Sequence, residues 1–304
     1  MAFYTDLDFR GDTLIMNPSR TIYDLLDWLE THLDQPLSLD QVAARSGYSK
    51  WHLQRKFKEA TGLVLGAYIR ARRLSRAAMA LRLTSKPLAA IAQQYCFESQ
   101  QSFNRAFKKQ FSQTPALYRR SMKWDFHGIQ PPLHENGRAQ PVGEFVLVPD
   151  LQLSGMTRSY SCSLEQLSQC RTQLRESFWR QFLNQTQITP SVLYGLCCSG
   201  PASVSKGENE VWYTTAVEPQ YLSQSLANLE ICRLNGGSYV QFTYQGSADG
   251  LQGFILDLYG ICLPLLRVVR REGCDIERFH QWPEMSDGDG QGRVHCEYLI
   301  PVVR

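Results

Sequence analysis

The chain has 304 residues, more than one hydrophobic core usually holds, so its length predicts two domains. Charge also divides it, because residues 20–125 carry 18 Lys and Arg against 8 Asp and Glu, whereas residues 126–304 carry 13 against 18. No segment is long and apolar enough to cross a membrane, and the first residues lack the basic and apolar runs of a secretory signal. These features argue against a membrane or exported protein.

The chain starts with a segment that predicts no regular structure and continues with a helix. Residues 1–17 are expected to be a disordered extension. A helix is predicted over residues 18–33, because Ile22, Leu25 and Leu29 recur at the spacing of one helix face.

Residues 37–121 contain the same helical unit twice. The first copy reads LSLDQVAARSGYSKWHLQRKFKEATG, and the second reads PLAAIAQQYCFESQQSFNRAFKKQFS. Each copy is a short helix, a tight turn and a second helix, the order of a helix-turn-helix, which places its second helix in the DNA major groove. We call these second helices the reader helices. The first turn has Gly47, where positive φ is usually required, and the second has Cys96 there, which predicts a strained or different turn.

Each reader helix has an apolar inner face and a polar outer face. The inner faces consist of Leu53, Phe57, Ala60, Phe103, Phe107 and Phe111. The outer faces consist of Trp51, Gln54, Arg55, Lys58, Gln101, Asn104, Arg105 and Lys108. Arg pairs with guanine, Gln or Asn with adenine, and an apolar ring with the thymine methyl group, so both outer faces suit base reading. The alternative is a pair of ordinary amphipathic helices, but two copies in matched register, one exposing Trp51, favour DNA reading.

A helix over residues 66–84 is predicted between the two units. At 1.5 Å per residue it spans roughly 27 Å, near the roughly 34 Å of one duplex turn, so a monomer is expected to grip two successive grooves. The predicted phosphate contacts are Lys50, Lys58, Arg70, Arg73, Arg76, Lys108 and Lys109. Their partner is double-stranded DNA, and affinity is expected to fall with salt.

Residues 18–121 resemble the DNA-binding domain of AraC/XylS-type transcription activators. The resemblance is carried by GYSKWHLQRKFK, GAYIRARRLS, FESQQSFNRAFKKQF and TPALYRRS. The residues before Met16 do not share it, which makes Met16 a candidate natural start. It implies base contacts by Trp51, Gln54, Arg55, Gln100, Gln101, Asn104 and Arg105. It also implies activation of drug-efflux, organic-solvent and oxidative-stress genes through bacterial RNA polymerase. We expect a cytoplasmic, nucleoid-associated protein.

The rest of the chain predicts a linker and an α+β domain. Residues 122–142, with three prolines and little periodicity, are expected to link to a second domain at 143–304. Strands are predicted at 144–150, 153–161, 191–198, 210–217, 229–235, 238–246, 275–280 and 295–303, and helices at 163–185 and 249–266. The order is strand, helix and two strands, twice, so we expect duplicated units with both helices on one face of an antiparallel sheet. The predicted fold is therefore multidomain, an all-α double helix-turn-helix domain followed by an α+β domain.

The second domain resembles the GyrI-like effector-binding family in its final strand, where Glu297 precedes Leu299-Ile300-Pro301. That family implies a cleft for amphipathic, drug-like molecules, with a buried glutamate for cations. The predicted ligand-binding residues are Glu297, Trp179, Tyr194, Tyr213, Phe242 and Tyr259. Aromatic residues at such positions are more often core, and strand alternation does not tell which face is the cleft.

No cofactor, metal site or enzyme activity is predicted. The chain has no Gly-rich phosphate loop, no nucleophile elbow and no Cys/His cluster at zinc spacing. Its nine cysteines are expected to be reduced and buried, with a redox switch at Cys96 or Cys197 as the alternative. Two other functions stay open. One is an architectural or replication-origin-binding protein that uses the same helices, and the other is a small-molecule hydrolase, which only Glu297 supports.

Overall fold

A computed structural model describes residues 18–133, 140–183, 189–201, 209–221, 229–281 and 293–303. They form two compact units. The first runs to Ile69 and includes Leu133, and the second begins at Arg70 and contains the remainder. The second helix-turn-helix and the α+β region thus belong to the same compact unit. The predicted extension 1–17 lies outside the described residues.

The described part of the helix-turn-helix region is helical in the order that the repeat predicts. Its helices are α1 (Pro18–Glu30), α2 (Leu39–Ser46), α3 (Lys50–Thr61), α4 (Leu65–Leu83), α5 (Leu88–Gln94), α6 (Gln100–Phe111) and α7 (Pro115–Arg120). The reader helices are α3 and α6. The predicted helices at 18–33 and 66–84 are observed as α1, which ends earlier, at Glu30, and as α4.

Serine caps begin both helices of the first repeat and the reader helix of the second. Ser38 forms a capping box with Gln41 at the start of α2, and Ser49 Oγ accepts the backbone N–H of His52 at 3.3 Å. Ser99 caps α6 by accepting the backbone N–H of Ser102 at 3.1 Å. Each cap satisfies an N–H group that the helix itself leaves free. Cap chemistry together with the apolar period therefore determines where each reader helix begins.

The turns of both repeats contain one residue in the left-handed region. Gly47 has φ 71°, and its counterpart Cys96 has φ 61°. A non-glycine residue is rare there because its Cβ approaches the following carbonyl oxygen. The predicted strain at Cys96 is therefore confirmed.

Replacing Cys96 by glycine is expected to raise the free energy of unfolding by roughly 0.5–1 kcal/mol. A side chain in the left-handed region costs roughly 1–2 kcal/mol, and the greater freedom of glycine in the unfolded chain cancels part of that gain. Chemical denaturation of the full chain measures the change, and Gly47→Cys is the matched control, expected to be destabilising. A less stable Cys96→Gly variant would contradict the strain argument.

Each repeat has its own apolar core beneath its reader helix. The core beneath the first reader helix includes Ile22, Leu26, Val42, Leu53 and Phe57. Beneath the second reader helix, the phenylalanine rings of α6 pack against one another. The ring centroids of Phe103 and Phe107 are 5.5 Å apart, and those of Phe107 and Phe111 are 4.4 Å apart. The predicted inner faces are thus confirmed, except that Ala60 is exposed.

The α+β region contains the strands and helices that the sequence predicts, with two short strands in addition. The strands are β1 (Trp124–Asp125), β2 (Glu144–Val148), β3 (Leu151–Ser159), β4 (Leu193–Pro201), β5 (Asn209–Val217), β6 (Glu230–Leu234), β7 (Gly237–Ser247), β8 (Val269–Arg270), β9 (Asp275–Gln281) and β10 (Arg293–Val303). The helices are α8 (Leu167–Leu183), α9 (Gly250–Asp257) and α10 (Leu263–Leu266), the last two joined by a π-helical turn at Leu258–Cys262.

The sheet is antiparallel and consists of two equivalent halves. One half runs β4-β5-β3-β6 and the other β9-β10-β7-β2, and β4 pairs with β9 between them. Helix α8 lies between β3 and β4 in the chain, as α9 and α10 lie between β7 and β9. The predicted duplication is therefore confirmed. We call the pairing of β4 with β9 the central seam.

The two faces of the sheet have different surroundings. One face packs against the helices and contributes to a core that includes Trp179, Phe242, Tyr259 and Tyr298. The other face has a smaller cluster of strand residues, among them Leu196, Ile276 and Leu299. We call these the helix side and the open side. None of the helices in the described ranges is long and apolar enough to cross a membrane.

The start of the predicted linker is packed. Trp124, Phe126 and Ile129 are buried, and β1 pairs with β8. Two-residue strands have no period of their own, so these two were not predicted. Residues 134–139 of the predicted linker lie outside the described residues.

The cysteines depart from expectation at one oxidised pair and at three free thiols, Cys96, Cys170 and Cys232, which are only half-buried. Cys198 and Cys274, 76 residues apart in sequence, are joined by a disulfide. The other seven are free, and Cys162, Cys197, Cys262 and Cys296 are buried as predicted. The expectation that all nine cysteines are reduced is therefore wrong for Cys198 and Cys274.

Candidate nucleic-acid interface

The first reader helix exposes the predicted outer face. Trp51 is 70% exposed, and Gln54, Arg55 and Lys58 are exposed as well. The Arg55 guanidinium lies 5.0 Å from the centroid of the Trp51 ring, within the range of a cation–π contact. An exposed Trp beside an Arg presents both an apolar ring and a bidentate donor to a groove.

Acidic neighbours engage part of the basic surface around α3. Lys50 Nζ lies 2.5 Å from Asp40, and Lys56 Nζ lies 2.9 Å from Glu59. The hydrogen bond from Lys56 lowers the pKa of Glu59. These pairs are solvent-exposed, where an ion pair contributes little, so a phosphate group can replace the carboxylate at Lys50 at low cost.

The second reader helix has the same arrangement with one difference. Gln100, Gln101 and Arg105 are exposed, but Asn104 is half-buried. The Oδ1 atom of Asn104 is buried and has no hydrogen-bond partner among the described residues. An unsatisfied buried amide oxygen is unfavourable, so Asn104 is less available to a base edge than its neighbours. Lys108 and Lys109 are exposed.

The arginines of α4 have different environments. Arg70 is exposed, and Arg73 and Arg76 are half-buried. Their contact with phosphates stays a prediction. Arg72 is buried and donates to the carbonyl of Gln130. Part of the positive charge of residues 20–125 is therefore structural and not available to phosphates.

Arg82 and Arg119 each cap the helix that carries the other. Arg82 Nη1 donates to the carbonyl oxygens of Tyr118 at 3.1 Å and Arg119 at 2.9 Å, at the end of α7. Arg119 in turn donates to the carbonyl oxygens of Leu81 at 3.2 Å and of Lys86, at and just beyond the end of α4. Helix carboxyl ends carry free carbonyl groups and partial negative charge, so both arginines are stabilised there. Burial, helped by the nearby charge of Arg270, lowers the pKa of Arg82 to about 10.

The six predicted ligand-binding residues are not brought into one cleft. Trp179, Phe242 and Tyr259 lie in the core on the helix side, and Tyr213 is buried there beneath α8. Tyr194 belongs to the open side, where its hydroxyl donates to Glu218 at 3.0 Å. Glu297 is opposite Arg278 in the sheet, and its Oε2 lies 3.7 Å from Arg278 Nη1 and 3.3 Å from His280 Nε2. Strand alternation places Tyr213 and Phe242 on the helix side, together with the helical residues Trp179 and Tyr259, and places Tyr194 and Glu297 on the other face.

Sequence reasoning missed the two buried carboxylates of this domain, Asp275 and Glu277. Glu277 is 1% exposed on the helix side, with Oε1 3.0 Å from Arg171 Nη1 and Oε2 3.1 Å from Arg175 Nη1. Tyr213 donates to Oε2 at 2.7 Å, and burial raises the pKa of Tyr213 well above its usual value, so the phenol stays a donor. The available signal was the alternation of Asp275 and Glu277 with Ile276 in one strand.

Arg55→Ala is expected to weaken binding to cognate DNA by about 1–3 kcal/mol and to relax preference at one base pair, because it removes a bidentate donor. Lys58→Ala is the matched control on the same face, expected to weaken all sequences equally. Binding to cognate and single-base-substituted duplexes measures both effects. Equal affinity of Arg55→Ala and the parent chain would contradict the assignment.

Two family models match this chain. Residues 42–121 match a helix-turn-helix domain, and residues 144–303 match the GyrI-like small molecule binding domain. The transcriptional regulator Rob of Salmonella typhimurium is 53% identical over 95% of this chain and 100% of its own length. The right origin-binding protein of Escherichia coli is 52% identical over the same shares. The multiple antibiotic resistance protein MarA of Escherichia coli is 46% identical over 38% of this chain and 92% of its own length.

These matches cover both structural regions, and the full length of two relatives aligns with 289 residues of this chain. The MarA match is confined to 117 residues, little more than the helix-turn-helix region. The chain therefore belongs to the AraC/XylS-type family of DNA-binding transcription activators, in the group that includes Rob and carries a GyrI-like small molecule binding domain.

Proposed function

We propose that this protein binds DNA as a monomer at an asymmetric site of about 20 base pairs, with one reader helix in each of two successive major grooves. The observation that carries the proposal is the matched pair of outer faces, Trp51, Gln54 and Arg55 on α3 and Gln101 and Arg105 on α6, all exposed above buried inner faces. Gln100 adds a further exposed side chain at the start of α6. The bound chain acts in the cytoplasm on the nucleoid.

The target genes in this proposal are those of drug efflux, solvent tolerance and oxidative stress, and the bound protein recruits bacterial RNA polymerase. The similarity to MarA, whose name is multiple antibiotic resistance protein, supports such targets. A purified transcription system with one such promoter tests this part. Loss of activated transcription in Arg55→Ala, with basal transcription unchanged, is the expected result.

The GyrI-like domain is proposed to bind a small amphipathic effector. Glu277 already accepts two arginines, and Glu297 already faces Arg278 and His280. A buried carboxylate that is paired on both oxygens offers little to an added cation. We therefore infer an effector that does not depend on Glu277 as its counter-ion. Glu297, which is 24% exposed and contacts Arg278 and His280 through Oε2, remains the candidate carboxylate for a cationic group. A regulatory role, without catalysis, agrees with the similarity to transcriptional regulators.

A second function is favoured by one comparison. The Escherichia coli relative is named a right origin-binding protein, and the same reader helices suit an origin site. Binding at a replication origin without activated transcription is therefore the alternative.

The test of the DNA-reading proposal is selection from a pool of randomised duplexes by the full chain across a salt series. Two short conserved motifs about one helical turn apart, bound by one protein chain, are the expected result. Enrichment of no motif, with an affinity that falls steeply with salt, would mean that the basic surface contacts phosphates without reading bases.

A further inference from the structure

Cys198 and Cys274 meet at the central seam of the sheet. Cys197 of β4 is opposite Asp275 of β9, so the antiparallel register puts Cys198 opposite Cys274, which immediately precedes β9. Their Cα atoms are 4.4 Å apart, a separation typical of directly opposed residues in antiparallel strands. Both side chains are half-buried on the open side, near Leu196 and Ile276. The strand register therefore places these two residues directly opposite each other.

The bond joins the two halves of the sheet. In the described part of the chain, β4 with β9 is the pairing that connects one half to the other. A covalent link at the end of this pairing prevents the two strands from separating there. When both cysteines are thiols, only backbone hydrogen bonds and packing hold this end of the seam.

The residue after Cys274 is the anchor of a buried polar cluster. Asp275 is buried and accepts hydrogen bonds from Arg270 Nη2 at 2.9 Å, from Tyr298 Oη at 3.2 Å and from Tyr259 Oη. A cavity of about 20 Å³, enough for about one water molecule, adjoins this cluster. Its lining includes Cys197, Cys198 and Asp275 from the seam. It also includes Arg82 of α4 and Trp124 of β1.

A continuous series of contacts leads from Asp275 to the second reader helix. Tyr259 stacks on Trp124 with ring centroids 5.0 Å apart, and Trp124 Nε1 donates to Tyr118 Oη at 2.7 Å. The Tyr118 ring of α7 lies 5.2 Å from the Phe107 ring on the inner face of α6. All four aromatic side chains are buried, and close-packed interiors transmit displacement. The position of Asp275 is thereby tied to the packing beneath the second reader helix.

The adjacent thiol does not compete for the bond. Cys197 points to the helix side, where its Sγ lies 3.6 Å from Glu277 Oε1. Burial raises the pKa of the Cys197 thiol well above its usual value, which leaves it protonated and a poor nucleophile. Cys232, on strand β6, is half-buried and also free.

We propose that Cys198 and Cys274 are a reversible oxidation site for a hydroperoxide, and that the disulfide form holds the second reader helix in its DNA-binding arrangement. This rests on the proposed reading of DNA by α6. In a reducing compartment, protein disulfides are usually transient and redox-sensing. The first thiolate attacks the peroxide O–O bond and gives a sulfenic acid and an alcohol, or water from hydrogen peroxide. The second thiol displaces water from the sulfenic sulfur, so two thiols lose two electrons and two protons to the peroxide, which becomes alcohol and water.

The test uses the full chain, reduced with dithiothreitol, freed of it, and then treated with hydrogen peroxide. Intact mass and thiol alkylation report the bond, and anisotropy with the selected duplex reports DNA affinity. We expect loss of alkylation at Cys198 and Cys274, with affinity about fivefold or more higher in the oxidised chain, within the usual range of coupling between sites. The control Cys232→Ser is expected to behave as the parent chain. The double variant Cys198→Ser with Cys274→Ser is expected to stay at the reduced affinity under both conditions.

The measurements distinguish a failure of the redox proposal from a failure of the proposed DNA reading. If both cysteines remain alkylated after peroxide, or if the bond forms and affinity is unchanged or lower, the redox proposal is overturned. The mass readout needs no DNA, so a bond that forms in a chain that binds no duplex in either state would instead contradict the DNA-reading function. If the double variant does not fold, the parent chain is titrated across ratios of reduced to oxidised dithiothreitol. The redox proposal then requires DNA affinity to follow the fraction of chains that carry the disulfide.

Discussion

Glu277→Gln is expected to lower the free energy of unfolding by about 3–5 kcal/mol, because removing one partner of a buried ion pair leaves an uncompensated charge. Here two cations lose their partner, since Arg171 and Arg175 both donate to Glu277 and both are buried. Chemical denaturation of the full chain, followed by circular dichroism, measures the loss.

Glu297→Gln is the matched control for this prediction. Glu297 lies on the neighbouring strand with its side chain on the other face, and its pair with Arg278 is 24% and 23% exposed at the two side chains. Partly solvated pairs of this kind contribute roughly 0–1 kcal/mol. Equal losses in the two variants would contradict the assignment of Glu277 as the carboxylate that holds this core together.

The DNA affinity of the full chain is expected to fall about 10³- to 10⁵-fold between about 50 and 200 mM salt, the behaviour of a protein with 6–10 phosphate contacts. The seven predicted phosphate-contacting residues include Lys58, Arg70 and Lys108, all of them exposed. With a slope of about −0.9 per contact, log affinity against log salt should have a slope near −6. Anisotropy measurements across a salt series give this slope directly.

Single neutralisations refine the salt prediction. Lys58→Gln or Arg70→Gln should each reduce the slope by about 1. Arg158→Gln is the control, because Arg158 is an exposed arginine on β3 of the second domain and is not among the predicted contacts. A parent slope near −2, or an equal effect of Arg158→Gln, would mean that the predicted phosphate surface is wrong.

The sequence determined the helical half of this protein almost completely, because its signals are local. Apolar spacing, serine caps at Ser38 and Ser49, and the turn residue Gly47 act within a few positions of one another. The same local period identified α8, and strand alternation identified β2 to β7, β9 and β10 within a few residues. The outer faces of α3 and α6 followed from the inner ones, since a helix that buries one face exposes the other.

Only the tertiary structure decided which polar residues of the second compact unit are functional and which are structural. Arg72, Arg82 and Arg119 belong to the positive charge of residues 20–125 in the sequence, but each donates to carbonyl groups that distant segments bring to it. Glu277 and Glu297 look alike in alternating strands, and the helices that cover one face bury only Glu277. Cys198 and Cys274 become partners because β4 pairs with β9 across 76 residues. The alternation of residues along a strand indicates that its two faces differ. Long-range pairing and packing decide which face is buried.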